Sequence, residues 1–252
     1  MGMRCGVFIV LLLLAGPAGA GQCVSRSGPG TAALVELYTS EGCSSCPPAD
    51  RWLATLGQRY APGSVVPLAL HVDYWDYIGW KDPYARREFS LRQRKLSQLQ
   101  RMALVYTPQV VLQGRDFRGW GTKGFDEAVA RINAQPARAT LKLELLRADA
   151  SGLDIEVSAE LTKPVDDPAL YLAAYQGRLE SRVTAGENRG RILTHEHVVL
   201  EWLGPFAITS RLMERRTLPL LPGAVPASSG VAAFVQSRRT GEVLQALLRS
   251  AC

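Results

Sequence analysis

Cys43-Ser44-Ser45-Cys46 is the segment of this 252-residue chain with the clearest capacity for chemistry. Two thiols three positions apart can close a disulfide and open it again. Pro47-Pro48 follows at once and marks a helix start, where the first N–H groups lack partners and proline is tolerated. Those free N–H groups and the positive helix end stabilise a thiolate. Cys43 is therefore expected to be the exposed, acidic, attacking thiol, and Cys46 the shielded, resolving one. Zinc sites use the same spacing but need a second Cys or His pair. No second C-x-x-C is present.

Other residues stand out by type. Thr107-Pro108 leads into an apolar run, and X-Pro bonds are where cis peptides concentrate, so a cis bond is expected there. Glu36 sits inside an apolar run, where a carboxylate is costly unless partnered. His71, Asp73, Tyr74 and Trp75 close a second apolar run. With Tyr77 and Trp80 they could wall a substrate groove, or pack as core beneath an insert. His195 and His197 would share a face on a strand and could bind a metal, but with no third ligand nearby they read as an ordinary polar surface strand. Gly186-Glu187-Asn188-Arg189-Gly190-Arg191 has no strand-to-helix context for phosphate binding and reads as a structural loop.

These residues need elements to position them. Ala32 to Tyr38 reads as a strand, and Pro47 to Tyr60 as a helix with Ala49, Trp52, Leu53 and Leu56 on one face. Val65 to Val72 reads as a second strand, and Pro83 to Met102 as a long helix. Gln109 to Gln113 makes a third strand, which Gly114-Arg115-Asp116 turns into a fourth before a helix over Gly124 to Ile132. Alternation of this kind argues for an α/β layer. After Ala134-Gln135-Pro136 the texture becomes strand-like, as in Leu141-Lys-Leu-Glu-Leu and Leu170-Tyr-Leu-Ala-Ala-Tyr. Val231 to Leu247 reads as a hairpin or as a strand followed by a helix. Residues 136–252 are thus expected to form a mostly antiparallel β domain, a sandwich.

The N-terminus carries Arg4, an apolar run from Val7 to Ala15, and Ala18-Gly19-Ala20. That pattern reads as a signal peptide over residues 1–20, too short to span a bilayer and leaving no membrane insertion after cleavage. Loss of Arg4 lowers the formal charge from +6 to +5. The densest basic run, Arg86-Arg87 to Lys95, lacks interleaved aromatics and reads as a solvated helix face, so no nucleic-acid partner is expected. Four cysteines remain after cleavage, in a compartment where disulfides persist. Once Cys43 pairs with Cys46 by spacing, Cys23 and Cys252 are left to form a structural disulfide.

The strand, Cys43-x-x-Cys46, helix and Thr107-Pro108 together resemble the thioredoxin-like superfamily over roughly residues 30–134. More closely, the run from Val35 to Asp50 is similar to the signature of an exported family called domain of unknown function 1223. His71-Val72-Asp73-Tyr74-Trp75-Asp76, Gly79 to Pro83, Tyr106 to Gln109 and Gly186 to Arg191 fit it too. The resemblance implies a thioredoxin-like domain over 21–135, with a helical insert around 74–104, and a bacterial periplasmic (or secreted) setting. In that fold the third strand is antiparallel, so Cys43, His71 to Trp75 and Thr107-Pro108 reach one sheet edge. Glu36 resembles the buried, proton-exchanging acid of thioredoxins, one residue out of place; a salt-bridged structural role is the alternative. The expected activity is periplasmic thiol–disulfide exchange on a protein or peptide substrate, with an unidentified redox partner, no cofactor and no metal. Two alternatives stand: a copper-handling protein using Cys43, Cys46 and His71, and a non-catalytic binding module with a structural clasp.

Overall fold

The computed structural model describes residues 23–221 and 224–252, so the expected signal segment lies outside it. The described residues form a mixed α/β fold: one large parallel/antiparallel sheet, one smaller antiparallel sheet, a short two-stranded antiparallel ladder, and helices on both faces of the largest sheet. Strand β1 (Val24–Arg26) precedes β2 (Ala33–Thr39), helix α1 (Pro47–Arg59) and β3 (Val65–His71). A 3₁₀ turn over Asp73–Ile78 leads to α2 (Arg87–Leu99). Then come β4 (Gln109–Leu112), β5 (Arg115–Asp116) and α3 (Lys123–Asn133).

The remaining strands are β6 (Ala139–Asp149), β7 (Gly152–Leu161), β8 (Pro168–Gln176), β9 (Leu179–Arg182) and β10 (Ile192–His195). They are followed by β11 (Val198–Ala207), β12 (Arg211–Leu218), β13 (Ser229–Ser237) and β14 (Val243–Ser250). The last two pair antiparallel, so Val231 to Leu247 is a hairpin and not a strand with a helix.

The large sheet has eight strands in the order β14-β13-β8-β11-β3-β2-β4-β5. Strands from both sides of residue 135 share it, joined where β11 runs parallel to β3 through Val198 and Ala69. The boundary expected at 135–136 therefore separates two sequence textures, not two sheets. Every residue of β8 is buried, as a strand covered on both faces must be. Leu170, Leu172 and Ala174 face Leu141, Leu143, Ile155 and Val157 of the four-stranded sheet β1-β6-β7-β12. This is the sandwich-like layer. Ala169, Tyr171 and Ala173 face the other way, onto Phe89 and Leu96 of α2. On β2 the alternation continues: Val35 and Leu37 meet α1 and α3, while Leu34 and Tyr38 meet the α2 side.

The helix expected from Pro83 begins only at Arg87. Asp82 Oδ1 accepts from the Tyr84 N–H, and the Arg86 N–H donates to the His71 carbonyl, so residues 82–86 are held as a loop.

Cys23 and Cys252 are bonded, with Cα atoms 6.2 Å apart. The bridge ties the start of the small sheet to the last strand of the large one across 229 residues of sequence. Loop-closure entropy gives such a link roughly 2–5 kcal/mol. Cys252→Ser should lower the unfolding free energy accordingly, with the m-value rising as the unfolded chain is released; an unchanged unfolding free energy would remove the bridge from the account of stability.

Candidate functional site

Strand β2 ends at Thr39, and the chain turns through Ser40 to Gly42 before the dithiol. The Cys43 N–H donates to Ser40 O at 3.1 Å, and the Gly42 N–H to Ser40 Oγ at 3.1 Å. Cys46 is the N-cap of α1, and Pro47 and Pro48 fill the first helical positions. Cys43 and Cys46 are bonded, with Cα atoms 5.5 Å apart, within the normal disulfide range. Ser44 and Ser45 are exposed, but Cys43 is only 1% exposed, against the expectation of an open thiol. Gly42 explains part of the cover: a Cβ there would lie 3.1 Å from Trp75 and 3.3 Å from Ile78, so the 3₁₀ turn rests on the dithiol loop.

Three segments meet here. Register pairs Tyr38 at the end of β2 with Gln109 at the start of β4, and Thr39 with His71 at the end of β3. Thr107-Pro108, whose peptide bond is cis, thereby arrives at the same sheet edge as Cys43. Trp75 Nε1 donates to Thr107 Oγ1 at 2.7 Å and connects the insert to that loop.

The residues expected to wall a groove mostly do other work. Ser90 Oγ of α2 accepts from the Asp73 N–H, and Tyr74 Oη donates to Gln93 Oε1, so both residues pin the insert to α2. His71 is wholly buried. Trp75 keeps a direct bond to the Thr107-Pro108 loop. A cavity of about 580 Å³ opens instead beside the residues that lead into that loop, lined by Met102 to Tyr106, Arg118 and Trp120. Leu104 on its wall is 76% exposed.

Glu36 stands apart from the dithiol. It shares the β2 face of Leu34 and Tyr38, opposite to α1, because a one-residue offset on a strand reverses the side chain. Its Oε1 lies 2.5 Å from Arg92 Nε. The guanidinium is stacked 4.5 Å from the Trp202 ring and 5.2 Å from that of Phe234. Glu36 is thus the salt-bridged, structural residue of the two alternatives, placed on the face opposite to α1 and away from proton exchange with the dithiol.

Beneath the dithiol loop lies a buried polar network that the sequence did not announce. Asp82 Oδ2 accepts from the Glu41 N–H at 2.8 Å and lies 2.7 Å from His71 Nδ1. Glu41 Oε1 lies 2.9 Å from His195 Nε2, and Glu41 Oε2 accepts from Trp80 Nε1 at 2.8 Å. Asn188 Nδ2 donates to the carbonyls of Glu41 and Cys43 at 2.8 and 2.9 Å. Glu41, Asp82, Asn188 and both histidines are buried. His195 and His197 do not share a face: His197 has a positive φ and packs beside Tyr175 and Gly57, where burial pushes its pKa down to about 4. Asp50, one helical turn past Cys46, is also buried; burial holds its carboxyl above the usual range although His71 and His195 pull it down. Among the described residues no group of three His, Cys, Asp or Glu is arranged to hold a metal ion.

Burial alone would push His71 down and Asp82 up. Their mutual attraction outweighs it, so His71 is raised and Asp82 lowered. The raised histidine adds stability that is complete below its unfolded value, about 6.5, and lost as pH rises through its folded value. The lowered aspartate adds stability that is complete above its unfolded value, about 3.9, and lost as pH falls through its folded value. The full contribution thus spans about pH 4 to 6.5. Denaturant midpoints of wild type and Asp82→Asn should differ most inside that window and converge on either side. A difference independent of pH would contradict the ion pair.

A family model described as "Protein of unknown function (DUF1223)" matches residues 34–236. The chain belongs to the DUF1223 family. The match takes in the dithiol loop, the insert, the Thr107-Pro108 loop and Asn188, so the whole site lies inside it. Among solved structures this DUF1223 protein is similar to protein AGR_C_4864 from Agrobacterium tumefaciens, at 25% identity and a TM-score of 0.62, over 88% of this chain and 96% of that one. It is also similar to HBP35 of Porphyromonas gingivalis, at 15% identity and a TM-score of 0.67, over 89% of this chain and 76% of that one; this second likeness concerns the fold alone. No curated protein matches it.

Proposed function

We propose that this DUF1223 protein is an exported thiol–disulfide oxidoreductase, with Cys43-Cys46 as its dithiol on a thioredoxin-like core. The observation that carries the reading is the convergence of the dithiol, at the start of α1, and Thr107-Pro108, at the start of β4, on one sheet edge. The order β3-β2-β4-β5, with β2 and β3 parallel and β4 antiparallel, supports the thioredoxin-like reading. Export rests on Arg4, the apolar run and Ala18-Gly19-Ala20. Among the described residues no helix is long and apolar enough to cross a membrane.

In the reducing direction the Cys43 thiolate attacks one sulfur of a substrate disulfide. A mixed disulfide forms and the other substrate sulfur leaves as a thiolate. Cys46, deprotonated, then attacks the Cys43 sulfur, closing Cys43–Cys46 and releasing the second substrate thiolate. Two electrons pass from the dithiol to the substrate, and the reverse sequence oxidises a substrate dithiol. The cavity beside Tyr106 suits an apolar peptide segment flanking the reacting sulfur. A separate redox partner must restore the dithiol.

Burial of Cys43 favours a second reading, a permanent structural clasp. A catalytic amount of the protein, added to a disulfide-linked peptide and a thiol reductant, separates the two. Peptide reduction faster than the uncatalysed rate, with Cys43 and Cys46 alkylatable, is expected from the oxidoreductase; no acceleration, with the pair intact under the same reductant, is the signature of the clasp.

A further inference from the structure

The loop between β9 and β10 reaches the dithiol with two side chains. Backbone bonds close it on itself: the Gly190 N–H donates to Val183 O at 2.8 Å, and the Arg191 N–H to Asn188 O at 3.1 Å. Gly186, at φ +72°, lies against Ile78; a Cβ there would fall 2.9 Å from the Ile78 Cδ1. Asn188 anchors the loop twice, on the carbonyls of Glu41 and Cys43. Between these two fixed points sits Glu187, whose carboxylate accepts from the Ser44 N–H at 2.9 Å. Ser44 follows the nucleophile directly, in the turn two residues before the N-cap of α1, where the positive end of the helix is close.

A donor at this place would otherwise stabilise negative charge on the Cys43 sulfur. The carboxylate takes that donor and sets a like charge beside the thiolate. We propose that Glu187 determines the reactivity of Cys43, holding its thiolate less favoured than the helix start alone would make it. This rests on the thiol–disulfide reading and deepens it. The other charged groups around the loop are Glu41 with His195, Asp82 with His71 and Asp50 in α1, all buried, and Arg189 and Arg191, exposed on the loop itself. Glu187 bonds to Ser44 and to none of these, so a substitution at 187 leaves them in place. Glu187 is exposed, which makes its charge sensitive to salt in a way that a structural role would not be.

The test uses the Cys46→Ala background, in which Cys43 is a free thiol whether or not the wild-type pair exchanges. The Cys43 titration is followed by alkylation rate against pH, and by the ultraviolet absorbance of the thiolate, which needs no reagent access. Glu187→Gln keeps a carbonyl acceptor for the Ser44 N–H and removes the charge. At low salt it is expected to lower the Cys43 pKa by roughly half a unit, about a threefold gain in thiolate below the midpoint, and molar salt should erase the difference. Glu187→Ala, which loses the acceptor as well, should shift it at least as far. An unchanged or raised pKa in both variants overturns the proposal. Failure of the wild-type exchange assay would overturn the oxidoreductase reading instead, without touching this comparison.

Discussion

Cys46→Ala should trap Cys43 in a mixed disulfide with substrate, whereas Cys43→Ala should reduce exchange to the uncatalysed rate and trap nothing. The asymmetry does not rest on exposure, since both sulfurs are covered in the bonded form. It rests on place. Cys43 Sγ lies 3.3 Å from the hydroxyl of Ser45, which is exposed, so only a short side-chain movement separates it from solvent. Cys46 is the helix N-cap, flanked by buried Pro47 and Ala49. A substrate sulfur can therefore reach Cys43, and only Cys46 is positioned to release it. Non-reducing electrophoresis and mass analysis of the trapped species check the result. Trapping by Cys43→Ala in place of Cys46→Ala would reverse the roles.

The second large effect is on stability. Glu36→Ala should destabilise the fold by about 3–5 kcal/mol while leaving exchange by the folded fraction intact. Arg92 is nearly buried, held between the rings of Trp202, Phe234 and Tyr171, and Glu36 supplies its countercharge. Removing the carboxylate leaves a guanidinium that burial penalises and no anion repays. Urea unfolding gives the stability, and exchange per folded molecule gives the activity. Loss of exchange at full stability would return Glu36 to the site and contradict its placement on the α2 face.

The local elements were legible because they carry local signals. Two prolines after Cys46 mark the helix start, Gly114 marks the β4–β5 turn, and apolar runs mark β2 and β3. What strand patterns do not carry is the identity of the neighbour. Alternation in β6 and β7 shows one buried face, which two-sheet packing explains. The unbroken apolar run of β8 was the sign of a strand buried on both faces, and so of a central place in a larger sheet. The strand offset of Glu36 was also readable, since one residue reverses the face. Glu41, Asp82 and Asn188 were not readable as a group. They lie in three loops, and polar loop residues have no periodicity to link them. Even so, each falls within a segment that the family signature singled out.

Equilibration of the oxidised protein across graded thiol–disulfide buffers, with acid quench and peptide-resolved alkylation, bears most directly on the dithiol. Cys43 and Cys46 should become alkylatable together at a potential within the range of catalytic dithiols, about −120 to −270 mV, while Cys23 and Cys252 stay bonded. A Cys43–Cys46 pair that persists below about −300 mV, like a structural disulfide, would contradict the oxidoreductase reading and leave the clasp in its place.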